Sequence, residues 1–181
     1  MSEIILITGG TRSGKSSFAL ERGEALGWKR AFVATCPVCD AEMMERIARH
    51  KEERACRGWD TLEEEIDLKG IAEKVRDYEV LVIECLTLWI SNWLYRFETS
   101  GSFENAEMKI IQELDALLRV LEKNNHHTLF VSNEVGMGIV PDNPLARLFR
   151  DISGRCNQKI ASKASEVILM SCGLPLWLKK K

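Results

Sequence analysis

Gly9-Gly10-Thr11-Arg12-Ser13-Gly14-Lys15-Ser16 sets two glycines, a lysine and a hydroxyl at the spacing of a phosphate cradle. Gly9 and Gly14 permit backbone conformations that a Cβ would resist, so successive N–H groups can turn toward one anion. Lys15 brings a mobile positive charge to the terminal phosphates, and Ser16 offers a hydroxyl to Mg²⁺. A second candidate is Glu84, the acid ending the apolar run Val80-Leu81-Val82-Ile83. A carboxylate at the end of such a strand can hold Mg²⁺ or its waters. The third group is basic. Arg46, His50 and Arg54 recur one helical turn apart, with Arg49 and Lys51 between them, and can converge on one anionic group. Two plainer accounts of that run remain open: complementing a helix C-terminus, and solvating an outward face.

Positioning these groups requires a particular alternation of elements. Ile4–Ile7 reads as a buried parallel strand, and the helix after the cradle runs from about Ser16 to Leu26. Arg30–Thr35 reads as a second strand. Asp40 is the expected N-cap of a helix through about Glu53, with Met43, Met44 and Ile47 toward the core. Trp59–Glu65 suits a loop with a short edge strand, and a helix follows near Leu68–Arg76. After the Glu84 strand, Leu86–Leu94 begins a largely apolar helix whose Trp89 and Trp93 suit a core or a subunit interface. Met108, Ile111, Leu114, Leu117, Leu118 and Leu121 mark the next helix. His126-His127 reads as a polar turn before the strand Thr128–Val131. That strand leads into the glycine-rich Asn133–Pro141 loop, where doubly wound proteins make ligand contacts. A helix opened by Asp142 or Asn143 runs to about Ala164, followed by the strand Glu166–Ser171 and a short last strand at Leu174–Leu178. Such alternation predicts an α/β fold: one domain over 1–181, a mainly parallel sheet with helices on both faces.

Bulk properties narrow the partners. A formal net charge of −2 gives no electrostatic reason to expect nucleic acid or an anionic membrane. No apolar run approaches the roughly 20 residues needed to span a bilayer. The start of the chain lacks a signal-peptide pattern, so a cytoplasmic location is expected. There the six cysteines read as reduced thiols. Cys36-Pro37-Val38-Cys39 has no second Cys-x-x-Cys or His pair to complete a metal site. Asp151-Ile152-Ser153-Gly154 copies a GTPase pattern but falls inside an expected helix, and no Asn-Lys-x-Asp motif accompanies it. The residues alone therefore specify a nucleoside-triphosphate binder, either a phosphotransferase or an ATPase.

Several segments in order carry a resemblance: the cradle; Arg46-Ile47-x-x-His50-Lys51-x-x-Arg54 with Trp59; Glu84-Cys85-Leu86-Thr87 with Asn92; and Asn133-Glu134-Val135-Gly136-Met137-Gly138-Ile139-Val140-Pro141. Leu145-Ala146-Arg147, Phe149-Arg150-Asp151 and Gly154-Arg155-x-Asn157-Gln158 follow. Over nearly its whole length the chain resembles the bifunctional adenosylcobinamide kinase / adenosylcobinamide-phosphate guanylyltransferase family of cobalamin biosynthesis. The resemblance implies a RecA-like P-loop fold and two reactions. ATP or GTP phosphorylates the aminopropanol hydroxyl of adenosylcobinamide. GTP then guanylylates a histidine, and GMP passes to adenosylcobinamide phosphate to give adenosylcobinamide-GDP. That histidine falls on His50, with Lys51, Arg54 and Arg46 offsetting charge on phosphoryl oxygens and pyrophosphate. Thr35, Cys36, Pro37, Glu63 and Glu84 fall on nucleotide-contact positions, with Glu63 facing the guanine edge. The resemblance also implies a homotrimer with the corrinoid near subunit contacts. Two alternatives are a P-loop small-molecule kinase without guanylyl transfer and a nucleotide-sensing binding protein.

Overall fold

The computed structural model describes residues 2–37, 41–101 and 103–180. In chain order they form β1 (Ile4–Gly9), α1 (Lys15–Glu24), β2 (Arg30–Ala34), α2 (Ala41–Cys56), β3 (Trp59–Glu63), α3 (Leu68–Lys74) and β4 (Val80–Glu84). Then come α4 (Leu86–Thr99), α5 (Ala106–Leu121), β5 (His127–Val131), α6 (Pro144–Lys163), β6 (Glu166–Ser171) and β7 (Leu174–Lys179). The strands join one seven-stranded sheet in the order β3-β2-β4-β5-β1-β6-β7. The pairs from β3 to β6 are parallel, and β7 runs antiparallel on β6.

Both faces of the sheet are covered, which is why its strands read as unbroken apolar runs. On one face Leu6, Leu81, Ile83, Phe130 and Val167 meet the inner stripes of α3, α4, α5 and α6. On the other Ile5, Ile7, Val80, Val82, Leu129 and Ile168 pack with Ala19, Phe18 and Leu20 of α1. Alternation along each strand assigns neighbours to opposite layers. Trp89 is fully buried in the larger layer, where its Nε1 donates to Ile66 O at 2.8 Å.

Three expectations need correction. On α5 the buried stripe is Ala106, Ile110, Leu114, Leu117, Leu118 and Leu121, while Met108 is 53% exposed and Ile111 only half-buried. At about 100° per residue, Met108 points nearly opposite Ala106 and Ile110. Met44 on α2 is likewise 53% exposed, because this helix packs mainly along the sheet edge at β3. Asp40 and the side chains of Met43 and Arg46 lie outside the described residues. Finally, His126 is no surface turn. It is buried between Asn124 Nδ2 (3.0 Å) and Thr128 Oγ1 (3.1 Å), and burial pushes its pKa down. Those partners satisfy both ring nitrogens, so the burial leaves no polar atom stranded.

Candidate active site

The parallel strands direct their C-terminal ends to one edge, and the chemistry-bearing residues collect there. The cradle leaves β1 at Gly9 (φ 148°) and enters α1 at Gly14 (φ 95°). A Cβ on Gly9 would lie 2.3 Å from the Met170 carbonyl oxygen of β6. That contact is with backbone, which cannot swing aside. Gly9→Ala is accordingly expected to cost about 1–3 kcal/mol and to weaken nucleotide binding, as read by urea midpoint and nucleotide titration. The β6–β7 turn braces the loop from behind, with Gly173 N donating to Ser13 O at 3.1 Å. Thr11 and Arg12 are exposed at the rim beside Gly10, whereas Ser13 is buried.

Lys15 is only 7% exposed, and its Nζ donates to Gly10 O (2.6 Å) and Ser13 Oγ (3.4 Å). Burial pushes its pKa down, while the negative charge of Glu84 pulls it back up. The next side chain, Ser16, hydrogen-bonds Glu84 Oε1 across from β4. The other carboxylate oxygen, Oε2, is buried without a hydrogen-bond partner. A hydroxyl and a carboxylate with one unsatisfied oxygen beside a phosphate cradle suit Mg²⁺. That ion keeps several waters and takes few protein ligands. Among the described residues no group of three His, Cys, Asp or Glu could hold a metal ion by itself.

Burial pushes the Glu84 carboxyl above its ordinary value, opposed by the Ser16 hydrogen bond and the charges of Arg54, Lys15 and His50. The folded state therefore holds this proton more tightly than the unfolded chain does. The group's stabilising contribution is full below its ordinary value near 4.5 and is lost as pH rises through the raised folded value. Glu84→Gln should then raise the melting temperature of the nucleotide-free protein more at pH 8 than at pH 5. A gain of about 0.5–2 kcal/mol at pH 8 is expected, alongside weaker Mg²⁺-dependent turnover.

Thr35 leads from β2 to this edge. Its Oγ1 donates to Cys85 O and accepts from Cys85 N, both at 2.8 Å, and its carbonyl accepts from Asn92 Nδ2 at 2.9 Å. Cys36 and Pro37 follow as half-buried residues, with the Cys36 thiol 3.5 Å from Pro37 O. Cys39 lies outside the described residues. Across from the cradle, Glu134 N donates to Gly9 O at 3.0 Å and Asn133 Nδ2 to Thr87 Oγ1 at 3.0 Å. These bonds tie the loop after β5 to the same edge. Beyond them Met137 (79%), Ile139 (96%) and Val140 (58%) stand exposed.

The basic run lies on α2, which packs along β3. Lys51 Nζ pairs with Glu63 Oε1 at 3.0 Å, and Arg54 Nε donates to Thr61 Oγ1 at 3.2 Å. Arg54 also stacks over the Phe32 ring, 4.0 Å from its centroid, and burial lowers its pKa. His50 is exposed, with Nδ1 3.1 Å from Glu53 Oε2. β3 and β1 lie four strands apart, roughly 19 Å of sheet at the usual strand spacing. The cluster thus approaches the cradle from the far side of β4 and β2, with Glu84 between. Glu63, which the resemblance puts at the guanine edge, sits at the end of β3 and pairs with Lys51. Glu53, three residues after His50 on the same face of α2, is the carboxylate in contact with it that the sequence reading did not single out.

Strand, cradle, helix N-terminus and Glu84 define a P-loop nucleotide-binding α/β protein. The same fold is found in the flagellar accessory protein FlaH of Methanocaldococcus jannaschii, with a TM-score of 0.56 over 99% of this chain and 79% of that one at 12% identity. A likeness at that identity speaks for architecture alone. Residues 5–178 match the family model described as cobinamide kinase / cobinamide phosphate guanyltransferase, and the chain belongs to that family. It is 36% identical to a protein of Escherichia coli K12 named bifunctional adenosylcobalamin biosynthesis protein CobU, over 97% of this chain and 99% of that one. The Salmonella typhimurium protein of the same name is 37% identical at the same coverage. The Pseudomonas aeruginosa protein named CobP is 35% identical over 96% of each.

Proposed function

We propose that this protein phosphorylates adenosylcobinamide with ATP or GTP and then guanylylates the product through His50. The observation that carries the reading is Glu84, hydrogen-bonded by Ser16 at the cradle and feeling the charges of Lys15 from α1 and of Arg54 and His50 from α2. A kinase alone has no use for an imidazole in that company.

In the first reaction the cradle amides and Lys15 hold the triphosphate, and the acceptor hydroxyl attacks the γ-phosphorus as the β–γ bridging oxygen leaves with its electron pair and the hydroxyl proton passes to solvent. Ser16 and Glu84 would hold Mg²⁺, which supplies charge neutralisation on the phosphates. In the second, a neutral imidazole nitrogen of His50 attacks the α-phosphorus of GTP and pyrophosphate departs. Lys51 and Arg54 offset the charge on the phosphoryl oxygens and the leaving group. A phosphate oxygen of adenosylcobinamide phosphate then attacks the same phosphorus, the N–P bond breaks, and the imidazole is restored. Thr35, Cys36, Pro37 and Glu63 line the route from cradle to α2 and serve as nucleotide contacts in this account. It requires the His50 ring to reach the α-phosphorus of a nucleotide held at residues 9–16. Among the described residues no helix is long and apolar enough to cross a membrane. The reading adds a cytoplasmic setting and a homotrimer, tested by sedimentation.

Incubation with GTP labelled at the α-phosphate tests the second half. The reading expects an acid-labile, alkali-stable protein label that chases into a corrinoid on addition of adenosylcobinamide phosphate. Protein that binds GTP yet takes no label would reduce the assignment to a kinase. Failure to phosphorylate a corrinoid as well would leave a nucleotide-sensing protein.

A further inference from the structure

We propose that Glu53 is a positioning residue for guanylyl transfer: it fixes the tautomer of His50 so that Nε2 is the nitrogen that attacks. The inference rests on the guanylyl-histidine reading above and adds which atom reacts and what holds it. His50 and Glu53 stand three residues apart on α2, hence on one face of the helix. Their Nδ1 and Oε2 are 3.1 Å apart. An ionised carboxylate can only accept, so the proton in this contact resides on Nδ1, and the lone pair of the neutral ring is on Nε2. Two of the neighbouring cations have other partners, Lys51 on Glu63 and Arg54 on Thr61 and Phe32. The hydrogen bond described for Glu53 is the one to the imidazole, and its charge also acts on Arg54.

The chemistry balances without a base. The Nε2 lone pair forms the N–P bond while the bond from the α-phosphorus to the α–β bridging oxygen breaks, and pyrophosphate keeps that electron pair. The Nδ1 proton stays in place throughout. The ring becomes a phosphorylated imidazolium, whose positive charge lies against the Glu53 carboxylate. When the acceptor phosphate takes the guanylyl group, the N–P electrons return to Nε2 and the neutral tautomer is regenerated ready for another turnover.

The test uses the full chain, ¹⁵N-labelled at histidine and guanylylated with GTP. Phosphorus–nitrogen coupling identifies the substituted ring nitrogen, and single-turnover labelling gives the rate. The wild type should carry phosphorus on Nε2 alone. Glu53→Ala should label about tenfold more slowly, the rate equivalent of one charge-assisted hydrogen bond, and distribute phosphorus over both nitrogens. Glu53→Gln keeps an oxygen able to accept from Nδ1–H, so it should restore Nε2 selectivity with part of the rate. Glu52→Ala removes an equal charge from the same helix and should match the wild type in both measurements. Phosphorus on Nδ1 in the wild type overturns the proposal. So does Glu53→Ala reacting at the wild-type rate on Nε2 alone, or Glu52→Ala falling equally far. A wild type that takes no label at His50 sinks the guanylyl-histidine reading and this inference together, whereas a labelled wild type with an unaffected Glu53→Ala sinks only this one.

Discussion

Replacing His50 by alanine should abolish the covalent enzyme–GMP adduct and lower formation of adenosylcobinamide-GDP by at least about 10³-fold, the scale on which loss of a nucleophile is felt. Corrinoid phosphorylation should persist in the same variant. The two halves separate because they use different ends of the triphosphate. In the proposed reaction the γ-phosphoryl group is handled by the cradle, Lys15 and Ser16, on α1 and the turn before it. The α-phosphorus must be met from α2, which reaches the site across β3 and β2. The imidazole is exposed, and its one hydrogen bond described is the contact with Glu53. Truncation therefore leaves no cavity, and the variant should melt within a degree or two of the wild type. If the kinase step fell in parallel with guanylylation, the assignment of His50 to the second reaction alone would be wrong.

Lys15→Ala should have the opposite breadth, reducing both activities. A loss of about 10²–10³-fold in kcat/KM for the kinase step is expected from removing one buried charged donor to a transferring phosphoryl group. Lys15 is 7% exposed and wedged over Gly10 O and Ser13 Oγ. Its replacement by arginine should not rescue, because a planar guanidinium does not fit a space shaped for a point charge. Removing the ammonium also leaves Glu84 with less opposing charge, so the carboxyl should rise further. The variant should show weaker Mg²⁺ dependence for that reason. Kinase kinetics and isothermal titration with ATP and GTP, each with and without Mg²⁺, measure both effects. A Lys15→Ala enzyme within fivefold of the wild type would remove the cradle lysine from the mechanism.

Much of this protein could be read before folding. The cradle declares itself because an anion-binding turn needs specific residues at consecutive positions, and local backbone chemistry is written locally. The strands were legible for a related reason. Burial on both faces forces continuous apolar runs, and β1, β4, β5 and β6 each carry one. Of the two residues expected to open α6, Asn143 is the cap, its side chain accepting from Leu145 N and Ala146 N.

What remained hidden depends on neighbours distant in sequence. The burial of His126 depends on Asn124 and Thr128 being placed to bond both its nitrogens. The inner face of α5 was misjudged by part of a turn at Met108, since several apolar stripes fit its sequence and only packing against α3, α4 and α6 selects one. Ser16 and Glu84 are separated by 68 positions and share a hydrogen bond only because α1 lies over the end of β4. The amino-acid order by itself determined the phosphate cradle, the alternation of elements and the family. The tertiary structure alone decided that Ser16 hydrogen-bonds Glu84 while Glu84 Oε2 is buried without a partner, that α2 lies along β3, and which groups are buried. Coulombic and desolvation energies depend on distance through space, and a linear chain does not contain that distance until the sheet has assembled.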